Sequence, residues 1–144
     1  MENRKFKPLI DKLYWLITLP TLIFVLALTV VTAIFHPPVL FLMIPILLFI
    51  SYFLISTLFG YVELRENTLF IKYGFFLKKE IEYSKIRSTV KDRKIYSESM
   101  MALKNALEHV NIKYNIYDVT TVSVIDNDRF IKELNERIKS KSFR

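Results

Sequence analysis

The sequence predicts a membrane α-hairpin followed by a small mainly-β domain, an antiparallel barrel or sandwich closed by a C-terminal helix. Three observations carry that prediction. From Leu13 to Val62 there is no Asp, Glu, Lys or Arg, whereas charge returns at ordinary density from Glu63 onward. Beyond residue 61 the apolar residues recur with the period of two that marks strands. The helical period returns only at the end, where Phe130, Ile131, Leu134 and Ile138 share one face.

Residues 1–12 form a basic lead-in containing Arg4, Lys5, Lys7 and Lys12. Residues 13–35 are an uncharged run with a single Pro20, and a helix of roughly 20 residues crosses the hydrocarbon core. At 36–38, His36-Pro37-Pro38 predicts a tight turn, because consecutive prolines remove two backbone donors and push the preceding residues toward extended geometry. Residues 39–60 make a second span, with Pro45 inside it, which lipid-embedded helices tolerate. A cleaved signal peptide would have a shorter apolar region and a small-residue cleavage site, neither of which this run has. Two core helices of a soluble protein would need more polar chain to cover them than the remainder supplies.

Cations precede the first span and follow the second, and the turn between them has none, so a cell-membrane location with both termini cytoplasmic is expected. Tyr14, Trp15 and Tyr61 fall at the depth of interfacial aromatics. Neither span carries an ionisable side chain apart from His36 at the turn, so the helices read as anchors rather than as an ion or proton pathway.

Residues 61–144 are long enough for one small core. Val62 and Leu64 alternate with Glu63 and Arg65, Glu66-Asn67-Thr68 turn, and Leu69, Ile71 and Tyr73 alternate again, which predicts a hairpin. Gly74 marks the next turn, before a strand through Phe75 to Lys79 and on from Glu80 to Tyr83. Ile86 to Val90 is strand-like, and the polar stretch from Lys91 to Ser99 is predicted as a loop. Val110, Ile112, Tyr114 and Ile116 then alternate with Asn111, Lys113 and Asn115, the signature of a strand. Tyr117-Asp118 are predicted to turn, and Val119 to Ile125 reads as a further strand. Asp126 is the expected N-cap of the closing helix, with Lys132, Glu133, Glu136 and Arg137 facing outward.

The order and wording of Thr68-Leu-Phe-Ile-Lys-Tyr-Gly74, Lys79-Glu-Ile-Glu-Tyr-Ser-Lys-Ile86, Val110-Asn-Ile-Lys-Tyr114 and Val122-Ser-Val-Ile-Asp-Asn-Asp-Arg-Phe-Ile131 resemble a known family. It is the bacterial PH-like family of membrane-anchored proteins that includes the YyaB type and the sublancin-immunity type. The resemblance covers Tyr61 to Ile138 and extends to the preceding hairpin. Departures fall at Ala106 and His109, where such proteins often have serine and arginine, and at Ser123-Val124, where a Ser-Pro pair is common. The resemblance implies a pleckstrin-homology fold and a membrane-tethered binding or immunity module rather than an enzyme.

Composition narrows the chemistry. The chain has 144 residues, 21 Lys plus Arg against 14 Asp plus Glu, and no Cys, which excludes disulfides, thiolate nucleophiles and cysteine-ligated zinc. The net charge of +7 suits an anionic leaflet, and no motif for nucleic acid accompanies it. The hairpin turn Glu66-Asn67-Thr68 is acidic, so no phosphoinositide pocket is expected there. An anionic-lipid contact is expected instead at Lys85, Arg87, Lys91, Arg93 and Lys94, where each cation near a membrane adds about 1 kcal/mol of attraction.

His36 and His109 fall on opposite sides of the membrane and cannot share a metal. His109 has no nucleophile or carboxylate dyad beside it in the sequence, and Asp126 and Asp128 are accounted for by the start of a helix. No catalytic residue, cofactor or metal site is expected. The expected function is a non-catalytic membrane-anchored binding module acting in bacteriocin immunity or envelope stress. Its expected partners are the lipid bilayer and a membrane protein or peptide. The alternative is an accessory subunit of a membrane transporter or envelope enzyme complex.

Overall fold

A computed structural model describes residues 2–142. Helix α1 (Lys12–Phe35) and helix α2 (Leu40–Ser56) are joined through His36 and one 3-10 turn, Pro37–Val39. His36 leaves the helical region with φ of −141°, and proline at the first position of the new turn loses no needed donor. A second 3-10 turn, Thr57–Phe59, continues α2, so apolar helical chain runs for 23 residues from Pro37 to Phe59. Both helices are long and apolar enough to cross a bilayer. Only 17% and 6% of their most apolar stretches are buried, which is the reverse of a core helix. Leu16, Phe24, Ile34, Phe41 and Leu48 all point outward. The hydroxyls of Thr21, Thr29 and Thr32 donate to carbonyls four residues back, so these polar groups are satisfied within α1.

The remainder is a PH-like pair of four-stranded sheets with a closing helix. The strands are β1 (Arg4–Phe6), β2 (Tyr61–Leu64), β3 (Thr68–Lys72), β4 (Lys78–Glu82), β5 (Ile86–Arg93), β6 (Ala102–Leu103), β7 (Glu108–Tyr114) and β8 (Asp118–Val122), followed by α3 (Asn127–Ser142). The first sheet runs β1-β2-β3-β4, all antiparallel. The second runs β5-β7-β8-β6, with β6 parallel to β8. Val62, Leu64, Leu69, Ile71 and Ile81 from one sheet and Val110, Ile112 and Val122 from the other meet Phe130 and Leu134 of α3. Asp126 caps α3 as expected, its Oδ1 accepting from the Arg129 N–H at 3.0 Å. It does so with φ of 66°, a left-handed conformation that Asp tolerates.

Several expectations are corrected. The lead-in at 1–12 is not a separate segment: Arg4–Phe6 adds a strand to the first sheet, in register Arg4 with Leu64 and Phe6 with Val62. Phe6 packs edge-on against Phe130 at 5.3 Å, and one buried ring is enough to recruit three residues whose neighbours are charged. Lys91 to Arg93 belong to β5 rather than to a loop, because β7 offers a long partner whose ladder overrides their polarity. Phe75 to Leu77 form the bend between β3 and β4 rather than strand. The strand through Tyr114 stops before Ile116, at Asn115 with φ of 50°. Arg137 is buried rather than outward, its guanidinium donating to the Arg65 carbonyl at 2.8 Å and to the Glu2 carbonyl at 2.5 Å.

Candidate functional site

The junction between the helix pair and the sheets is where the described residues assemble a site. Asp11 begins it. One carboxylate oxygen caps α1 by accepting from the Tyr14 N–H at 3.1 Å, and the other accepts from the Leu107 N–H at 2.8 Å. One side chain thus ties the first turn of a helix to the entry of β7. Asn105 makes the matching tie to α2: its Nδ2 donates to the Thr57 carbonyl at 3.1 Å, while its own carbonyl accepts from the Asp11 N–H. The Tyr14 hydroxyl donates to the Leu54 carbonyl, closing α1 onto α2.

The chain's two glycines both lie at this junction. A Cβ on Gly60 would stand 2.6 Å from the Lys72 carbonyl and run into Leu103, and one on Gly74 would stand 2.9 Å from Ser56 Cβ and Oγ. Neither glycine has positive φ. Gly74 is therefore required by the close approach of the β3–β4 bend to the end of α2, and not by turn conformation.

Between the helix bases and the segment Lys104–Ala106 lies a cavity of about 250 Å³, walled by Tyr14, Ile17, Phe53 and Leu54. Asn105 is 3% exposed, and its Oδ1 has no hydrogen-bond partner among the described residues. Lys104 Nζ donates to the carbonyls of Lys94 (2.5 Å), Ile95 (2.7 Å) and Tyr96 (3.0 Å). Desolvation lowers the Lys104 pKa. The cavity thus has apolar walls from the helices and a polar lining that includes Asp11, Lys104 and Asn105.

The five cations singled out in the sequence do not converge. Arg87, Lys91 and Arg93 lie on β5 and Lys94 just beyond it. That strand is the sheet edge opposite β6, three inter-strand spacings or about 14 Å from the strand that packs on Gly60. Lys85, on the 3-10 turn before β5, pairs with Glu82 at 3.2 Å. Lys91 sits between Asp128 (2.9 Å) and Glu108 (3.1 Å), whose hydrogen bonds raise its pKa. Lys94 pairs with Asp92 (2.7 Å) and Glu98 (3.1 Å), which raises its pKa and lowers that of Asp92. Arg87 reaches the Ile116 carbonyl at 3.4 Å, and Arg93 is exposed. Arg65, at the first hairpin, is held by Glu63 (3.0 Å) and Glu80 (3.3 Å) over the Phe70 ring.

His109 is fully buried, with Asp92 opposite it on β5. Its Nδ1 lies 2.7 Å from the Leu107 carbonyl, which can only accept, so that nitrogen carries the proton. The neighbouring Ser123 hydroxyl donates to the Glu108 carbonyl at 2.5 Å and not to the imidazole. Asn127 links the start of α3 to the same place, its Oδ1 accepting from the Val124 N–H and its Nδ2 donating to Glu108. These polar groups fasten β7, β8 and α3 together. Asp11, Asn105 and Gly60 were missed in the sequence because none belongs to a motif; the scarcity of glycine was the one signal that pointed to the junction.

Comparison with known proteins agrees with this architecture. The family model described as "Bacterial PH domain" matches residues 60–138. Neither the curated proteins nor the solved structures give a match.

Proposed function

Because the chain belongs to the bacterial PH-domain family, we propose that it is a non-catalytic binding module anchored in the cell membrane by α1 and α2. The observation that carries this reading is the junction. Asp11, Asn105 and the two glycines join the helices to the domain by hydrogen bonds and direct packing instead of a linker. A domain fixed in this way is suited to presenting one face to a membrane partner or peptide.

Pairing of β1 with β2 adds a topological argument. Strands on either side of the helix pair are hydrogen-bonded, so helices that span the bilayer must form a hairpin with both flanks on one side. The cations of those flanks favour the cytoplasmic side. Of the five cations, Arg93 and Lys94 lead into the segment beside the cavity, and the proposed anionic-lipid contact rests on the exposed Arg93, since Lys94 is matched by Asp92 and Glu98.

The physiological role we infer is bacteriocin immunity or envelope stress. Expression of the full chain in a sensitive strain, challenged with a panel of bacteriocins, is expected to raise survival. Absence of protection across a broad panel removes the immunity role. Recovery of a stoichiometric transporter or envelope enzyme in mild detergent supports the accessory-subunit reading in its place.

A further inference from the structure

We propose that the β3–β4 bend, Phe75-Phe76-Leu77, is a third membrane contact, inserted into the same leaflet as the end of α2. This rests on the proposal that α2 spans the bilayer. Three consecutive large apolar side chains are exposed there, Phe76 at 80%. They stand against the helix: Phe76 stacks on Tyr52 (ring centroids 6.0 Å apart, planes 21° apart), and Phe75 stacks on Phe59 at 4.7 Å and lies 5.9 Å from Tyr52.

Depth follows from the helix. The apolar chain from Pro37 to Phe59 measures about 34 Å at 1.5 Å per residue, against a hydrocarbon core of about 30 Å. Tyr52 lies seven residues inside that end, about 10 Å along the axis. Helical side chains also lean toward their N-terminus, which for α2 is the deeper direction. Whatever touches the Tyr52 ring therefore lies at the acyl boundary or below it. Gly74 lets the bend reach this position, since a side chain there would strike Ser56.

Charge completes the match. The exposed Lys78 directly follows Leu77, setting a cation at the neck of an apolar tip, the order in which a leaflet presents headgroups above acyl chains. Lipid is the occupant these features select. The bend is continuous with a lipid-facing helix, and its three apolar residues are held at that helix's depth. With α1, α2 and the bend all entering the bilayer through the same leaflet, the domain cannot pivot about the helix axis.

Tryptophan depth measurement tests this in the full chain. Trp15 is the single tryptophan, so Trp15→Phe provides a blank background. Phe49→Trp on α2, Phe76→Trp at the bend and Tyr117→Trp on an exposed turn are then compared. The chain is reconstituted in vesicles of phosphatidylglycerol and phosphatidylcholine with brominated acyl chains. Phe76→Trp is expected to show more than half the bromine quenching of Phe49→Trp and to resist aqueous iodide, while Tyr117→Trp is open to iodide. Iodide quenching of Phe76→Trp equal to that of Tyr117→Trp, with Phe49→Trp still quenched by bromine, overturns the insertion and leaves the anchor intact. Loss of bromine quenching at Phe49→Trp overturns both.

Discussion

Asp11 does two jobs with one carboxylate, and each can be separated by substitution. Asp11→Ala removes the cap of α1 and leaves the Leu107 N–H without its acceptor. Loss of a cap costs about 1 kcal/mol and an unpaired, partly buried donor up to about as much again, so the variant is expected to lose about 1–2 kcal/mol in a denaturation series in detergent. Asp11→Asn, which keeps an acceptor, is expected to lose less. Tyr73 reports on pH. Burial raises its pKa from 10.0 to about 12, against the opposing effect of its hydrogen bond to Thr120. The unfolded chain releases that proton first, so its contribution to stability is intact below pH 10 and declines as pH rises from there toward about 12. Melting curves across that window are expected to show a shallower alkaline decline for Tyr73→Phe than for the unsubstituted chain.

At the scale of elements, the strands with clean alternation were legible, and those that borrow stability from a neighbour were not. Val62 to Leu64 and Leu69 to Ile71 alternate because one side of each faces the core, and the pattern records that directly; Val110 to Tyr114 alternates in polarity although β7 is covered on both faces from His109 to Ile112, where Asn111 accepts from the Thr121 hydroxyl. β1 has only Phe6 buried, and Lys91 to Arg93 have no apolar residue, so nothing local marks either as strand. Both form because an adjacent strand supplies hydrogen-bond partners. Arg137 departs from its expected outward place for a similar reason: a charged residue on an amphipathic helix usually faces water, but here two backbone carbonyls from other parts of the chain meet its guanidinium. The weight carried by β1 can be measured. Phe6→Ala removes the ring packed on Phe130 and is expected to destabilise the domain by about 3 kcal/mol in a denaturant titration, with α1 and α2 unaffected by helical circular dichroism.

For the molecule as a whole, the pairing of β1 with β2 puts both flanks of the helix pair on one side of any bilayer it spans, and the proposal of which side rests on charge. Absence of cysteine makes this simple to check, since any introduced thiol is the only one. Asn3→Cys and Tyr117→Cys are expected to be shielded from an impermeant maleimide in intact cells and labelled after lysis. His36→Cys, at the exposed turn between the helices, is expected to label in intact cells. Labelling of Asn3→Cys and His36→Cys from the same side would show that the helices do not form a spanning hairpin.

The candidate site divides along the same line. Sequence by itself determined the two apolar helices, the change of period after residue 61 and the amphipathic closing helix. Each is a property of consecutive residues meeting one environment, hydrocarbon or a half-buried face. Only the tertiary structure decided that Asp11, Thr57, Gly60, Gly74 and Asn105, spread over most of the chain, meet at one junction. It also decided that the cations around β5 are spread along an edge and partly matched by Glu82, Asp92, Glu98, Glu108 and Asp128. Cations close in sequence add to one another only when they share a face and lack counter-charges. Both conditions depend on which strands lie side by side, and that is set by long-range pairing with no local trace.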